Sequence, residues 1–316
     1  MINLTPQFKD IQLAHERIKP FIHRTPVLTS TSINAILNAE GYFKCENFQK
    51  VGAFKFRGAT NAVRLLTPQE ADKGVTTHSS GNHAAALSLA AKQLGIPAYI
   101  VMPENAPDIK KKAVEGYGAE ITFCEPTLQA REDTLARVQE KTGATFIHPY
   151  NNFNVVCGQG TAAKELLEDY PDLDIIIAPV GGGGLMSGTA ISAKALKSGI
   201  KVFGAEPLNA DDAYRSFKTG TLIQAGPPNT IADGLLTSLG TLTFQIIREK
   251  VDDIFIVKEE TIIEAMRMVW ERMKIIIEPS SAVPLASLIE NMKLLRGKRV
   301  GIIFSGGNVD LNKLPF

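Results

Sequence analysis

Cysteine is scarce in this chain. The three present, Cys45, Cys124 and Cys157, are odd in number and lack the spacing of a metal site. A disulfide framework is therefore not expected, and a reducing compartment is. Long apolar runs are missing too: none approaches the roughly 18–20 residues that a membrane span requires. Residues 1–10 carry acidic and polar side chains where a signal peptide needs an apolar stretch, so the cytoplasm is the expected location. Neither sign of charge dominates, with 34 Lys and Arg against 33 Asp and Glu and no basic run, which argues against a nucleic-acid partner. Two nucleotide signatures are absent. No G-x-x-x-x-G-K-[ST] string occurs, and a dinucleotide fingerprint counted from Gly181 or Gly182 finds Met186 or Ser187 where its third glycine belongs.

What is present is an alternation of strand-like and helix-like segments. Tyr99–Met102, Ala119–Cys124, Ile175–Ile177, Lys201–Gly204 and Val300–Phe304 read as strands; Ala84–Leu94, Ala106–Tyr117, Arg131–Thr142 and Met186–Leu196 read as helices. Such alternation predicts an α/β fold with parallel sheets covered on both faces. At 316 residues and 44% apolar content, the chain has material for about two domains.

Three turns rich in glycine or serine fall between a strand and a following segment: Thr77 to His83, Pro179 to Leu185, and Ser305 to Asn308. The consecutive glycines Gly181, Gly182, Gly183 and Gly184 remove side chains, so backbone N–H groups can converge on an anion at a helix start. A flexible turn is the plain alternative. Lys55, between Phe54 and Phe56, has aromatic neighbours that exclude water, which favours a neutral, nucleophilic amine able to form a Schiff base. Its plain alternative is a surface lysine whose stem covers its neighbours. A phosphate cradle together with a desolvated lysine points to pyridoxal phosphate, gripped at both ends.

The segments Lys50 to Ala59, Ser79-Ser80-Gly81-Asn82-His83, Gly181 to Gly184, Glu206 to Asp212 and Ser305 to Asn308 together resemble the serine racemase and serine/threonine dehydratase family of fold-type II pyridoxal phosphate enzymes. The likeness spans nearly the whole chain, in order. It implies two domains, each with a mostly parallel sheet covered by helices: a large one from 1–73 and 150–316, and a small one from 74–149. It implies a homodimer acting on a small hydroxy amino acid, by racemisation of serine and by dehydration of serine or threonine to a keto acid and ammonia. A relative acting on L-threo-3-hydroxyaspartate would use the same groups, and a non-catalytic phosphometabolite-binding protein on this scaffold is an alternative of another class.

Residue roles follow from the resemblance. Lys55 would carry the cofactor and act as base on one face of the substrate; Ser80 would serve the opposite face. Phe54 would shield the ring, Asn82 would bind its hydroxyl, and Ser305 would bind its nitrogen. Ser79, Ser80, Asn82 and His83 would hold the substrate, although two serines here also suit a helix cap. Glu206, the Ala210 carbonyl and Asp212 would hold Mg²⁺ or another divalent cation such as Mn²⁺ or Ca²⁺, unless the acids merely open a helix. Ala85 stands where animal racemases use a glutamine for a nucleotide effector, which counts against such activation, although Lys50, Tyr117 and Asn308 still match that site. Tyr150 replaces an asparagine near the cofactor.

Overall fold

The computed structural model describes residues 5–79, 81–106, 108–226 and 229–316. Its strands are β1 (Val27–Leu28), β2 (Glu40–Cys45), β3 (Val75–His78), β4 (Ala98–Pro103), β5 (Glu120–Cys124), β6 (Thr145–Phe146), β7 (Ile175–Pro179), β8 (Lys201–Pro207), β9 (Asp253–Val257) and β10 (Arg299–Phe304). The helices are α1 (Phe8–Ile18), α2 (Thr31–Leu37), α3 (Lys55–Val63), α4 (Pro68–Lys73), α5 (Asn82–Leu94), α6 (Asp108–Gly116), α7 (Leu128–Thr142), α8 (Phe153–Asp169), α9 (Gly184–Leu196), α10 (Asp212–Thr219), α11 (Thr241–Lys250), α12 (Glu259–Met273) and α13 (Pro279–Glu290).

The strands form two sheets, ordered β1-β2-β10-β7-β8-β9 and β5-β4-β3-β6. Every pairing is parallel except the edge pair β1–β2. Parallel strands need both faces covered, and β7 meets that demand with Ile175, Ile176 and Ile177 all buried. One core, including Phe43, Ile302 and Met266, lies between the larger sheet and α12 and α13. Another, including Ile176, Val202 and Met186, fills its opposite face. A third joins Phe56 of α3 and Leu87 of α5 to Ile100 of the smaller sheet.

Local chemistry explains the element boundaries. The helix expected from Arg131 begins earlier, at Leu128, because the Thr127 hydroxyl accepts the Ala130 N–H at 3.1 Å. Asn152 opens α8 in the same way through the Val155 N–H, at 3.0 Å. The segment expected as a helix from Ala106 is helical only from Asp108 to Gly116. Among the described residues, no helix is long and apolar enough to cross a membrane.

One consequence of strand order matters most for the site. Because β10 lies between β2 and β7, the turn after it meets the segment after β2. The Phe54 N–H donates to the Ser305 carbonyl at 2.9 Å, and the Gly307 N–H to the Gly52 carbonyl at 2.9 Å. Two motifs some 250 residues apart in the sequence thus share one short backbone ladder.

Below that ladder lies a buried ionic group. Arg57 donates from Nε to Glu46 at 2.7 Å and from Nη1 to Glu165 at 2.8 Å, while Lys44 donates to Glu165 at 2.7 Å. All four side chains are at most 1% exposed, and their charges cancel. Burial drives the Lys44 amine below its ordinary value, and the two cations hold Glu165 down at about 2 against the opposing effect of burial. The group ties β2, α3 and α8 together.

Candidate cofactor site

Lys55 is the first residue of α3, and its Nζ donates to the Pro149 carbonyl at 2.9 Å. Burial lowers the amine from its ordinary 10.5 to about 8, only partly offset by the charge of Glu278. The flanking aromatics divide their tasks. Phe56 is fully buried in the core shared with the smaller sheet, while the Phe54 ring centroid lies 5.2 Å from Nζ. The surface-lysine alternative therefore does not hold.

The glycine run follows β7 and opens α9. Gly183 has φ of 83°, a left-handed conformation natural to glycine, and a Cβ there would come within 2.7 Å of Leu239. At Gly182 a Cβ would lie 2.2 Å from the Tyr150 ring, so that ring rests on bare backbone. The first N–H groups of α9 have no partners within their own helix and carry its positive dipole end. These features fit a phosphate group: a side-chain-free cradle at a helix start, wedged against fixed walls.

Pro149 and Tyr150 join the two halves, one accepting from Lys55 and the other covering the glycine loop. His148 orders this turn, its Nδ1 accepting the N–H groups of Tyr150 at 3.3 Å and Asn151 at 3.0 Å. Burial, aided by the neighbouring His78 and Lys55, drops His148 to about 4, so its ring is neutral and keeps Nδ1 as an acceptor.

Asn82 is the first residue of α5. Its Nδ2 donates to both oxygens of Glu278, at 2.9 and 3.2 Å, and its Oδ1 accepts from Asn308 at 2.9 Å. Glu278 is raised to about 7, chiefly by burial and then by Asp233. Ser305 is buried at the end of β10, with its hydroxyl 3.0 Å from that of Ser281. Ser79 accepts the Gly81 N–H at 3.3 Å, while the N-cap of α5 is Gly81 itself. Ser80 lies outside the described residues.

His83 is buried in the first turn of α5. Its Nε2 donates to the Ile147 carbonyl at 3.1 Å, and burial with the nearby Lys55 amine drops it to about 3. Nδ1 is then a buried lone pair, which has nothing to donate to a substrate carboxylate. This argues for His83 as a wall of the site.

The expected cation ligands form a separate group at the end of β8. Glu206 accepts the N–H groups of Ala213 at 3.1 Å and Tyr214 at 2.9 Å, so it is Glu206 that caps α10. Asp212 is 1% exposed, and neither of its carboxylate oxygens has a hydrogen-bond partner. Burial raises Asp212 to about 6 and, with the Asp212 charge, Glu206 well above the carboxylate range. Two buried carboxylates with two orphaned oxygens are the chemistry a hard cation would satisfy. Among the described residues, no group of three or more His, Cys, Asp or Glu side chains is placed to hold a metal. Any cation here would need the Ala210 carbonyl and water as well.

Three of the positions matched to a nucleotide site, Ala85, Tyr117 and Asn308, line a cavity of about 560 Å³ that also reaches Lys110 and Asp233. Glu278, Pro149, Tyr150 and Ser281 were not singled out as site residues by sequence reasoning, apart from the remark on Tyr150. A glutamate before proline at a helix start looks like ordinary capping, and a backbone carbonyl has no sequence signal at all.

Comparison with known proteins agrees with this geometry. The pattern of the family described as "Pyridoxal-phosphate dependent enzyme" matches residues 18–306. The chain is 52% identical to a beta-hydroxyaspartate dehydratase of Paracoccus denitrificans, over 98% of this chain and 99% of that one. The crystal structure of a serine racemase from Dictyostelium discoideum superposes with a TM-score of 0.94 at 54% identity, covering 98% of this chain and all of that one (100%). The crystal structure of a T.th. threonine deaminase superposes at 0.93 with 42% identity, covering 97% and 99%. Lysine, glycine cradle, two mostly parallel sheets and these likenesses coincide: the chain belongs to the pyridoxal-phosphate dependent enzymes, on the fold-type II scaffold.

Proposed function

We propose that this enzyme dehydrates serine and threonine to pyruvate or 2-oxobutanoate plus ammonia, and interconverts L- and D-serine. The observation that carries the reading is the Lys55 amine, lowered to about 8 and aimed at a turn whose next residue covers the glycine loop. An amine near neutrality can exchange a proton at the substrate Cα, which an ordinary lysine cannot do readily at pH 7.

Gly181 to Gly184 and the start of α9 would hold the cofactor phosphate, Lys55 its aldehyde end, Asn82 its hydroxyl and Ser305 its nitrogen. When bound, the cofactor supplies the electron sink that makes the substrate Cα–H bond acidic. Lys55 takes or returns the proton on one face, with the Pro149 carbonyl orienting Nζ. Ser80 serves the other face, and racemisation requires both. Ser79 and Asn82 lie at the start of α5, where a substrate carboxylate would find helix N–H groups. Phe54 and Tyr150 keep water from this space.

The Glu206, Ala210 and Asp212 group would hold Mg²⁺, Mn²⁺ or Ca²⁺, supported by the two orphaned Asp212 oxygens. We take 74–149 as a smaller domain set into a larger one formed by 1–73 and 150–316, the enzyme as a homodimer, and the cytoplasm as its location. Three buried free cysteines are consistent with that compartment.

A second reading, elimination from L-threo-3-hydroxyaspartate, is supported by the likeness to the Paracoccus dehydratase. One panel decides between them: keto-acid and D-serine formation from L-serine, L-threonine and L-threo-3-hydroxyaspartate by the pyridoxal phosphate-loaded enzyme. Turnover of serine with D-serine appearing supports the first reading. Turnover confined to hydroxyaspartate replaces it with the second, and no turnover of any of the three overturns both.

A further inference from the structure

Lys55 is the first residue of α3, and Gly184 is the first of α9. Helix α8 lies between them and presents a glycine to each. A Cβ on Gly158 would sit 2.6 Å from the Arg57 carbonyl oxygen and 2.6 Å from the Gly58 Cα. On the other face, a Cβ on Gly188 of α9 would sit 2.4 Å from the Gly160 backbone nitrogen and 2.7 Å from the Gly160 Cα. Residues 158 and 160 are two apart, and two residues turn a helix through roughly 200°, which puts them on opposite sides of α8. Both contacts are backbone against backbone, so neither can give way as a flexible side chain would.

Polar contacts prevent sliding at both faces. The Gly58 N–H donates to the Gln159 amide oxygen at 3.2 Å, and Arg57 donates to the Thr161 hydroxyl at 3.1 Å and to Glu165 of α8. On the α9 side, the Ser192 hydroxyl donates to the Gly160 carbonyl at 2.9 Å. Ordinary helix pairs separated by side chains pack about 8–10 Å apart and tolerate some adjustment. These two interfaces have no side chain at the point of contact to absorb a shift.

We infer that α8 is a spacer whose glycine contacts, Gly58–Gly158 and Gly160–Gly188, set the distance between Lys55 and the phosphate loop. Gly158 and Gly188 are positioning residues: they touch no ligand, and they act through the helix starts that do. The inference rests on reading Lys55 and the glycine loop as the two grips on the cofactor. A methyl group at either contact forces the neighbouring helix outward, and misplacement on the scale of 1 Å costs reacting groups on the order of 100-fold.

The test compares Gly158→Ala and Gly188→Ala with Gly143→Ala. Gly143 follows α7 with φ of 70°, and a Cβ there would meet only the Lys73 side chain, at 2.9 Å, so its substitution destabilises through backbone strain and that contact without touching α8. Pyridoxal phosphate dissociation constants are measured by absorbance on folded protein at 25 °C, and each variant is crystallised. The spacer predicts a weakening on the order of 10- to 100-fold for both α8-contact variants. It also predicts a widened Lys55–Gly183 Cα separation, while Gly143→Ala shows a lower melting temperature with unchanged cofactor affinity. Should Gly188→Ala fail to fold, Gly160→Ala with Ile11→Ala replaces it. That pair makes room at Ile11, which a Gly160 Cβ would approach to 2.5 Å, and keeps the 2.8 Å clash with the Gly188 carbonyl. Unchanged separation and unchanged affinity in folded variants overturn the spacer. Failure of the wild type itself to bind the cofactor overturns the reading beneath it instead, and the crystallographic separation then still decides whether α8 sets the spacing.

Discussion

Replacing Lys55 by methionine removes the activity and, in the cofactor-free protein, raises stability. The amine titrates at about 8 in the folded chain against an ordinary 10.5, so burial disfavours its protonated form. At ~1.4 kcal/mol for each tenfold change, that displacement corresponds to about 3 kcal/mol. The side chain keeps some exposed surface, so solvent screening trims the figure. Loss of the bond to the Pro149 carbonyl returns roughly 1 kcal/mol more. A net gain of about 1–2 kcal/mol is left for Lys55→Met at pH 7. The pH dependence has a definite sign. Below about pH 8 both folded and unfolded chains carry the proton and the penalty is complete. Between there and 10.5 the unfolded chain holds more protons than the folded one, so wild-type stability rises with pH and the methionine advantage shrinks. Urea unfolding of both cofactor-free proteins at pH 7 and pH 10 measures this directly. A Lys55→Met protein that is less stable at pH 7, or whose difference from wild type ignores pH, would falsify the account of a desolvated amine. Such a gain is the expected cost relation at a functional site, where a group is held in a form the fold alone would not choose.

Three further outcomes are expected. Arg57→Met leaves Glu46 and Glu165 facing one another with one buried cation, and should lower unfolding free energy by roughly 3–5 kcal/mol in chemical denaturation; a loss below ~1 kcal/mol means that the network is dispensable. Mg²⁺ should raise the melting temperature of the wild type and leave Asp212→Ala unmoved, the stabilisation reaching about 2.7 kcal/mol at a hundredfold excess over the dissociation constant; equal responses reduce Asp212 to part of a helix start. Ser80→Ala should abolish D-serine formation and elimination from D-serine while L-serine dehydration survives, with the absorption band of the lysine-bound cofactor intact. Undiminished D-serine production by that variant removes Ser80 from the second face.

Glu278 shows how closely the cofactor site and the neighbouring cavity are joined. Its carboxylate holds Asn82, and the same amide bonds to Asn308, which lines the cavity. Lys110, which also lines the cavity, pairs with Asp233, the residue whose charge helps to raise Glu278. Asn82 of α5 therefore links the N-cap of α13 to the turn after β10, and both Asn82 and Asn308 line the cavity.

The parts of this protein legible in its sequence are those that local chemistry dictates. The isoleucine run, the four glycines and the helix after them favour a phosphate cradle over a flexible turn, because a buried parallel strand, a side-chain-free turn and a helix start each need those residues in that order. Lys55 between two phenylalanines stood out as a candidate although not distinguished from a surface lysine by that segment alone, and the acids around Asp212 could be named although not distinguished from a helix start. Tertiary structure decided the rest. Placement of β10 between β2 and β7 joins Ser305 to Phe54, and no pattern within either segment specifies its neighbour. Glu278 reaches Asn82 across 196 residues, and Pro149 reaches Lys55 across 94. The Tyr150 ring lies on Gly182 because α8 and β7 carry the chain back to it. A local pattern reports which conformation a segment prefers and which face it hides. Strand order and helix contact depend on how distant faces complement one another, and that is settled only when the whole chain packs.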